Sequence, residues 1–213
     1  MKDVKLNSLF SIPLMEFDYG KINEDENKII EHYLKDLVPN QNYGNFHTKE
    51  VYILDKALPD LKNFFEEAIK IFVKNVIVGD NYDNDDLNFR ITQSWINLLK
   101  ASSGGHHTHN HANSIISGVF YIKANPKLDT IVFDNHMVDY HNKLHIGVKK
   151  YNIFNSESMH VPVKTGKLLL FPSYLYHGVK PTQGKEDRVS MSFNAFPYGT
   201  IGRKEDLTEL RIQ

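Results

Sequence analysis

Residues 104–114 read Gly104-Gly105-His106-His107-Thr108-His109-Asn110-His111-Ala112-Asn113-Ser114. Ile115-Ile116-Ser117-Gly118-Val119-Phe120-Tyr121-Ile122 follows without a break. Four of the chain's 11 histidines stand in the first stretch, and the second is an apolar segment of strand length. Imidazoles therefore crowd the mouth of a strand. Neutral imidazole is the commonest protein ligand for a transition metal. On an extended chain, residues i and i+2 project to the same side, so His109 and His111 can both reach one ion, with His107 on the same parity. A single histidine in such a loop is more often a solvated polar group. Four of them at a strand entrance point to metal.

Outward from that stretch the pattern is mostly strand. Upstream, Phe89, Ile91, Gln93, Trp95, Asn97 and Leu99 alternate with Arg90, Thr92, Ser94, Ile96, Leu98 and Lys100, which predicts a long strand. Downstream, strands are expected over 115–122, 130–133, 159–163, 167–171 and 188–196. Turn signals separate them: Asn125-Pro126, Thr165-Gly166, Pro172-Ser173 and Gln183-Gly184.

Before residue 89 the period differs. Residues 9–17 carry Pro13 and read as an edge strand. Asn23 followed by Glu24, Asp25 and Glu26 is a capping-box start. Ile29, Ile30, Tyr33, Leu34 and Leu37 then recur at helical spacing up to Pro39. A second helix starts near Pro59, with Leu61, Phe64, Phe65, Ala68, Phe72 and Val76 on one stripe and Gly79 as its stop. Residues 51–54 read as a short strand between the helices. The four aspartates of 80–86 lack the glycine and distal glutamate of a calcium loop, and read as a solvated surface.

Two helices followed by many short strands predict a mainly β, α+β domain with the helices packed on a sandwich or barrel. The histidine cluster falls at its mouth, where such architectures hold ligands. A chain of 213 residues, 41% hydrophobic and 12% aromatic, suits one domain with a real core. Within it, 1–88 form helical and strand support, 89–197 the β core and 198–213 a C-terminal tail. The net charge of −1 offers no basic footprint for nucleic acid or for a lipid surface. Cysteine is absent, which excludes thiolate metal sites and cysteine nucleophiles. The first residues lack a signal peptide's apolar run and no segment approaches membrane-spanning length, so a cytoplasmic protein is expected.

The second half of the site lies far along the chain. Lys167-Leu168-Leu169-Leu170-Phe171-Pro172-Ser173-Tyr174-Leu175-Tyr176-His177 is a buried strand, a proline turn and a histidine. Then comes Arg188-Val189-Ser190-Met191-Ser192-Phe193-Asn194. Arg188, Ser190, Ser192 and Asn194 share one face, while Val189, Met191 and Phe193 share the other. A guanidinium with a hydroxyl two residues on is what a carboxylate needs: a bidentate fork plus one further donor. The plainer reading of Arg188 is a surface ion pair with Glu186 or Asp187.

These blocks together resemble the iron(II)- and 2-oxoglutarate-dependent oxygenases, in the branch related to prolyl hydroxylases. The blocks are the histidine pair, Ser117-Gly118-Val119-Phe120-Tyr121, Leu170-Phe171-Pro172-Ser173 with His177, and Arg188-x-Ser190-x-Ser192-Phe193-Asn194. The resemblance is strong from Trp95 to Phe196 and weaker over the N-terminal helices. It implies a double-stranded β-helix, a cupin-like jelly roll with the N-terminal helices on one sheet. It implies Fe(II) held by His109, His111 and His177 as metal ligands and catalytic centre. It implies 2-oxoglutarate with its far carboxylate on Arg188 and Ser190, and Tyr121 reaching the same carboxylate or simply packing the core. Most of the superfamily has a carboxylate where this chain has His111. Asp134 stands by as an alternative carboxylate or an outer-sphere group, and a pairing of His107 with His109 is the alternative histidine register.

The activity so implied is dioxygenase chemistry: hydroxylation of a C–H bond in a peptide or small-molecule substrate, with release of succinate and carbon dioxide. The alternatives are a cupin-type three-histidine metalloenzyme that does not use 2-oxoglutarate, and a non-catalytic metal- or oxo-acid-binding module. Arg188 with Ser190 favours the first. No nucleic-acid or membrane partner is expected, and a homodimer stays open. The long segment 135–158 is read as a lid over the metal or as an extra hairpin on the sheet.

Overall fold

The computed structural model of the chain describes residues 4–40, 44–79, 86–101, 104–135 and 147–213. In chain order it contains β1 (Met15–Asp18), α1 (Glu24–Tyr33), β2 (Leu37–Pro39), β3 (Phe46–Thr48), α2 (Ile53–Ala57) and α3 (Pro59–Phe72). A π-helical turn, Val73–Val78, continues α3. Then come β4 (Asn88–Leu99), β5 (His106–His109), β6 (Ile116–Lys123), β7 (Thr130–Asp134), β8 (Ser158–Pro162), β9 (Lys167–Pro172), β10 (His177–Val179), β11 (Arg188–Ile201) and β12 (Leu210–Ile212).

Two antiparallel sheets form a jelly roll. The larger runs β1-β9-β6-β11-β4-β3-β2, with β12 paired to the end of β11, and the smaller runs β5-β10-β7-β8. The expected mainly β architecture with helices on one sheet is what the chain adopts. β9 is apolar on both faces because both are covered. Leu168 and Leu170 join the cluster under the helices, with Phe65, Phe120, Met191 and Phe193. Leu169 and Phe171 point the other way, into the roll, with Tyr121, Ile131 and Phe133.

The two faces of β11 separate as their parity predicts. Val189, Met191, Phe193 and Ala195 pack under the helices. Arg188, Ser190 and Ser192 line the cavity inside the roll. Phe193 stacks on Phe65 of α3, ring centroids 4.8 Å apart and planes at 15°. Its register partner on β6 is Gly118. A Cβ there would stand 2.1 Å from Phe193 Cζ, so the Ser117-Gly118 pair leaves room for this ring.

At the N-terminus of α1, Asn23 and Glu26 form the expected capping box. Asn23 Oδ1 accepts from Glu26 N at 2.8 Å, and Glu26 Oε2 accepts from Asn23 N at 2.9 Å. α3 with its π-helical extension ends at Gly79, whose φ of 75° suits glycine.

Several local expectations are corrected. α1 ends at Tyr33, and Leu37 instead starts a strand paired with Thr48. Residues 51–54 do not form a strand. One bridge, Tyr52 to Ser94, is followed at once by helix α2, which buries Ile53 and Leu54. The edge strand at the N-terminus is confined to Met15–Asp18. The C-terminal residues include β12, paired with Gly199–Ile201. Of 80–86, residues 80–85 lie outside the described residues. Of the segment read as lid or hairpin, so do 136–146. The described ends of that segment are joined by Asn135 N donating to Glu157 O at 2.7 Å.

Candidate metal and oxo-acid site

β5 and β10 are register partners, with His109 opposite His177. His111 follows β5 by two residues, and its backbone N–H donates to Ser173 O at 3.0 Å, which ties it to the turn leading into β10. The three rings therefore converge: centroids are 4.6 Å apart for His109–His177, 4.9 Å for His109–His111 and 5.1 Å for His111–His177. One ligand nitrogen from each lies within 4.8 Å of the others. His111 Nε2 and His177 Nε2 are 3.3 Å apart. Two nitrogens at that spacing can share one ion at the roughly 2.0–2.1 Å reach of imidazole ligation.

The ring protons suit the same arrangement. His177 Nδ1 donates to Leu175 O at 2.9 Å and His109 Nδ1 donates to His107 O at 2.9 Å. Each therefore keeps its Nε2 lone pair for an ion. Burial pushes His177 down to about 3, against the pull of its bond to Leu175, and pushes His111 down to about 4; it lowers His109 as well. All three are neutral imidazoles at neutral pH, the form that ligates.

His106, His107 and His109 make a second cluster of ring nitrogens. His106 Nε2 faces Asn40 Nδ2 at 2.9 Å, however, and His109 has a single lone pair to give. Asp134 is turned away from the histidines: its Oδ2 accepts from Thr108 Oγ1 at 2.9 Å, and Thr108 has the opposite parity to His109.

Deeper in the roll, Arg188, Ser190 and Tyr121 line the cavity together with His109, His111 and His177. Arg188 is 6% exposed and Tyr121 is 1% exposed. Arg188 does not pair with the acids beside it in sequence. Glu186 binds Lys123 at 3.1 Å and Asp187 accepts from Ala101 N at 2.9 Å. Instead Arg188 Nη1 donates to Thr130 O at 3.3 Å. No ion pair of Arg188 occurs among the described residues. Tyr121 Oη is buried and has no hydrogen-bond partner. Burial lowers the Arg188 pKa, partly offset by Tyr121 and Asp129, and raises that of Tyr121.

A buried guanidinium and an orphaned phenol on one wall are the donor set that a carboxylate satisfies. Asp129 also belongs here. It is 5% exposed, with Oδ2 bound to Asn125 N at 2.7 Å and Oδ1 unpartnered. Nothing in its turn sequence, Asn125-Pro126-Lys127-Leu128-Asp129, marks it as buried. Ser117 and Ser173, read as a strand residue and a turn residue, are likewise part of a polar chain behind His111.

Residues 93–194 match the family described as "Putative 2OG-Fe(II) oxygenase". That match spans the jelly-roll core from β4 to β11. The matched family's cofactors are iron(II) and 2-oxoglutarate, and the donor set of this core fits both. Solved structures share the fold at low identity. The Pseudomonas putida prolyl-4-hydroxylase is 11% identical, with a TM-score of 0.57, over 87% of this chain and 92% of its own. The prolyl hydroxylase from Trichoplax adhaerens, in complex with a hypoxia inducible factor oxygen degradation domain peptide fragment, is 13% identical, with a TM-score of 0.57, over 86% and 83%. HygX from Streptomyces hygroscopicus, with nickel, 2-oxoglutarate and hygromycin B bound, is 12% identical, with a TM-score of 0.54, over 86% and 82%. No curated protein matches the sequence. Among the described residues, no helix is long and apolar enough to cross a membrane.

Proposed function

We propose that this protein is an iron(II)- and 2-oxoglutarate-dependent dioxygenase that hydroxylates a C–H bond of a peptide or small molecule, releasing succinate and carbon dioxide. The observation that carries the reading is the company the histidines keep. Three neutral imidazoles share a cavity with a buried arginine and a phenol whose oxygen has no partner. Solved structures of this fold hold a peptide fragment in one case and hygromycin B with nickel and 2-oxoglutarate in another, which supports both substrate classes.

In this reading His109, His111 and His177 hold the metal, and iron(II) with 2-oxoglutarate supplies the chemistry that activates dioxygen toward an unreactive C–H bond. The residues of the chain do the positioning. Arg188 offers its planar fork to the far carboxylate of 2-oxoglutarate, and Ser190 and Tyr121 add single hydroxyl donors. Burial of all three strengthens these charge-assisted bonds by excluding water. Because the three ligands are neutral, the dianionic co-substrate balances a divalent ion on its own.

The test is anaerobic addition of iron(II) and 2-oxoglutarate to metal-free protein. The expected result is the visible charge-transfer band of a metal-chelated 2-oxo acid, followed by succinate formation on admission of air. Iron binding with neither band nor succinate would instead favour a three-histidine metalloprotein that does not use 2-oxoglutarate.

A further inference from the structure

Behind His111 runs a buried chain of polar side chains. Asn194 of β11 is 7% exposed, and its Nδ2 lies 3.5 Å from His111 Nδ1. Its Oδ1 accepts from Ser117 Oγ at 3.0 Å. Ser117 Oγ is 2.8 Å from Ser173 Oγ, and Ser173 Oγ is 2.7 Å from Ser114 Oγ. Ser114 ends the chain by donating to Ile116 O at 3.1 Å.

Counting protons gives this chain a meaning. His177 Nδ1 donates to Leu175 O, so its Nε2 presents a lone pair to His111 Nε2 at 3.3 Å. Two facing lone pairs repel, so without metal His111 Nε2 carries the proton and His111 Nδ1 is left to accept. An Asn194 Nδ2 aimed at Nδ1 suits that state. Ligation through Nε2 needs the other tautomer, with the proton on Nδ1, and then the group facing it must be an acceptor.

We propose that Asn194 is the positioning residue that sets the tautomer of His111, and that its carboxamide turns over when metal binds. In the loaded state His111 Nδ1–H donates to Asn194 Oδ1 and Asn194 Nδ2 donates to Ser117 Oγ. Ser117 then donates to Ser173, Ser173 to Ser114, and Ser114 still to the Ile116 carbonyl. Every donor keeps an acceptor, because hydroxyls reverse at no cost in bonds. The proton of His111 is relocated within one neutral ring and none is released. This assignment rests on the reading of His111 as a metal ligand.

The experiment has two arms. In the first, ¹⁵N–¹H correlation of the imidazoles is recorded on the wild-type protein, metal-free and with zinc(II). His111 is expected as the Nε2–H tautomer without metal and the Nδ1–H tautomer with it. In the second, cobalt(II) affinity is measured for wild type, Asn194→Leu and Asn194→Asp. The leucine variant should bind ten- to a hundredfold more weakly, the usual loss on removing an outer-sphere partner. The aspartate variant, which keeps an acceptor at that place, should bind within about threefold of wild type or more tightly. One unchanged tautomer in both states overturns the proposal, and so does wild-type affinity in Asn194→Leu. Should that variant fail to fold, the wild-type spectra still decide. If His111→Ala leaves cobalt(II) affinity unchanged, the ligand assignment itself is wrong, which is a separate result.

Discussion

Ser190 and Tyr121 are direct register partners across β11 and β6, which sets a hydroxyl and a phenol side by side on the wall that also carries Arg188. The pairing predicts a graded response to mutation. Arg188→Lys keeps the charge but loses the fork. It should weaken 2-oxoglutarate binding by about ten- to a hundredfold, on the order of 1.5–3 kcal/mol. Tyr121→Phe removes one neutral donor and should cost about fivefold, near 1 kcal/mol. Calorimetric titration of 2-oxoglutarate into the anaerobic iron-loaded protein measures both; equal affinities for the three proteins would remove these groups from the binding site.

The two overlapping histidine clusters predict different outcomes on substitution. If the proposed ligand set is right, His177→Ala or His111→Ala removes one of its three imidazoles and should lower metal affinity by roughly a hundredfold or more. His107→Ala should stay within about twofold, since an exposed ring that holds no ion contributes little. Competition with a chromophoric chelator reads all three. A loss in His107→Ala as large as in His177→Ala would shift the ion outward along β5.

The buried imidazoles also predict a pH dependence for the metal-free protein. Burial holds His177 at about 3 and His106 and His111 at about 4 when folded, against the ordinary imidazole value of about 6.5. The unfolded chain therefore binds more protons between those values. Stability is present in full above about pH 6.5 and falls as the pH drops toward 4. Urea unfolding of chelator-treated protein at pH 7.5 and pH 5 should show a lower midpoint at the lower pH. His177→Gln should flatten the difference, and a midpoint that does not move between the two pH values would contradict the buried, neutral assignment.

Packing at the helix-covered face gives a prediction independent of the site. Gly118→Ala drives a methyl into the Phe193 ring, which cannot retreat because Phe65 is stacked behind it. Overpacking of this kind costs about 1–3 kcal/mol. Phe65 is fully buried, and Phe65→Ala should cost about 3–5 kcal/mol. Thermal unfolding of the two variants should rank Phe65→Ala below Gly118→Ala, with both below wild type.

Much of this was legible in the sequence where residues carry two signals at once. β11 was readable because each position declares a face: apolar toward the helices, polar toward the cavity. The closeness of His109 and His111 was readable because i, i+2 residues of an extended chain project to one side. Short elements were not. β2, β3, β10 and β12 are three residues each, too brief to show a period, and exist because a distant strand pairs with them. Ile53 and Leu54 look like strand residues, yet tertiary burial turns them into helix. Asp129 and the serines behind His111 were hidden for another reason. Their types are ordinary for turns and strands, and only the fold brings them behind His111 or beside a buried guanidinium.

The pairing of β4 with β11 joins residues 88–99 to residues 188–198. The pairing of β1 with β9, Met15–Asp18 against Lys167–Leu170, closes a longer loop still, and such closures are slow steps in folding. A nascent chain that has emerged only as far as residue 176 carries His109 and His111 but lacks His177, Arg188, Ser190 and Asn194. Two imidazoles on an unpaired strand hold a transition metal weakly and with little choice of element. In the proposed site, selection of the metal therefore waits until residues 177–194 have joined their sheets, and is governed by the ions then present around the protein.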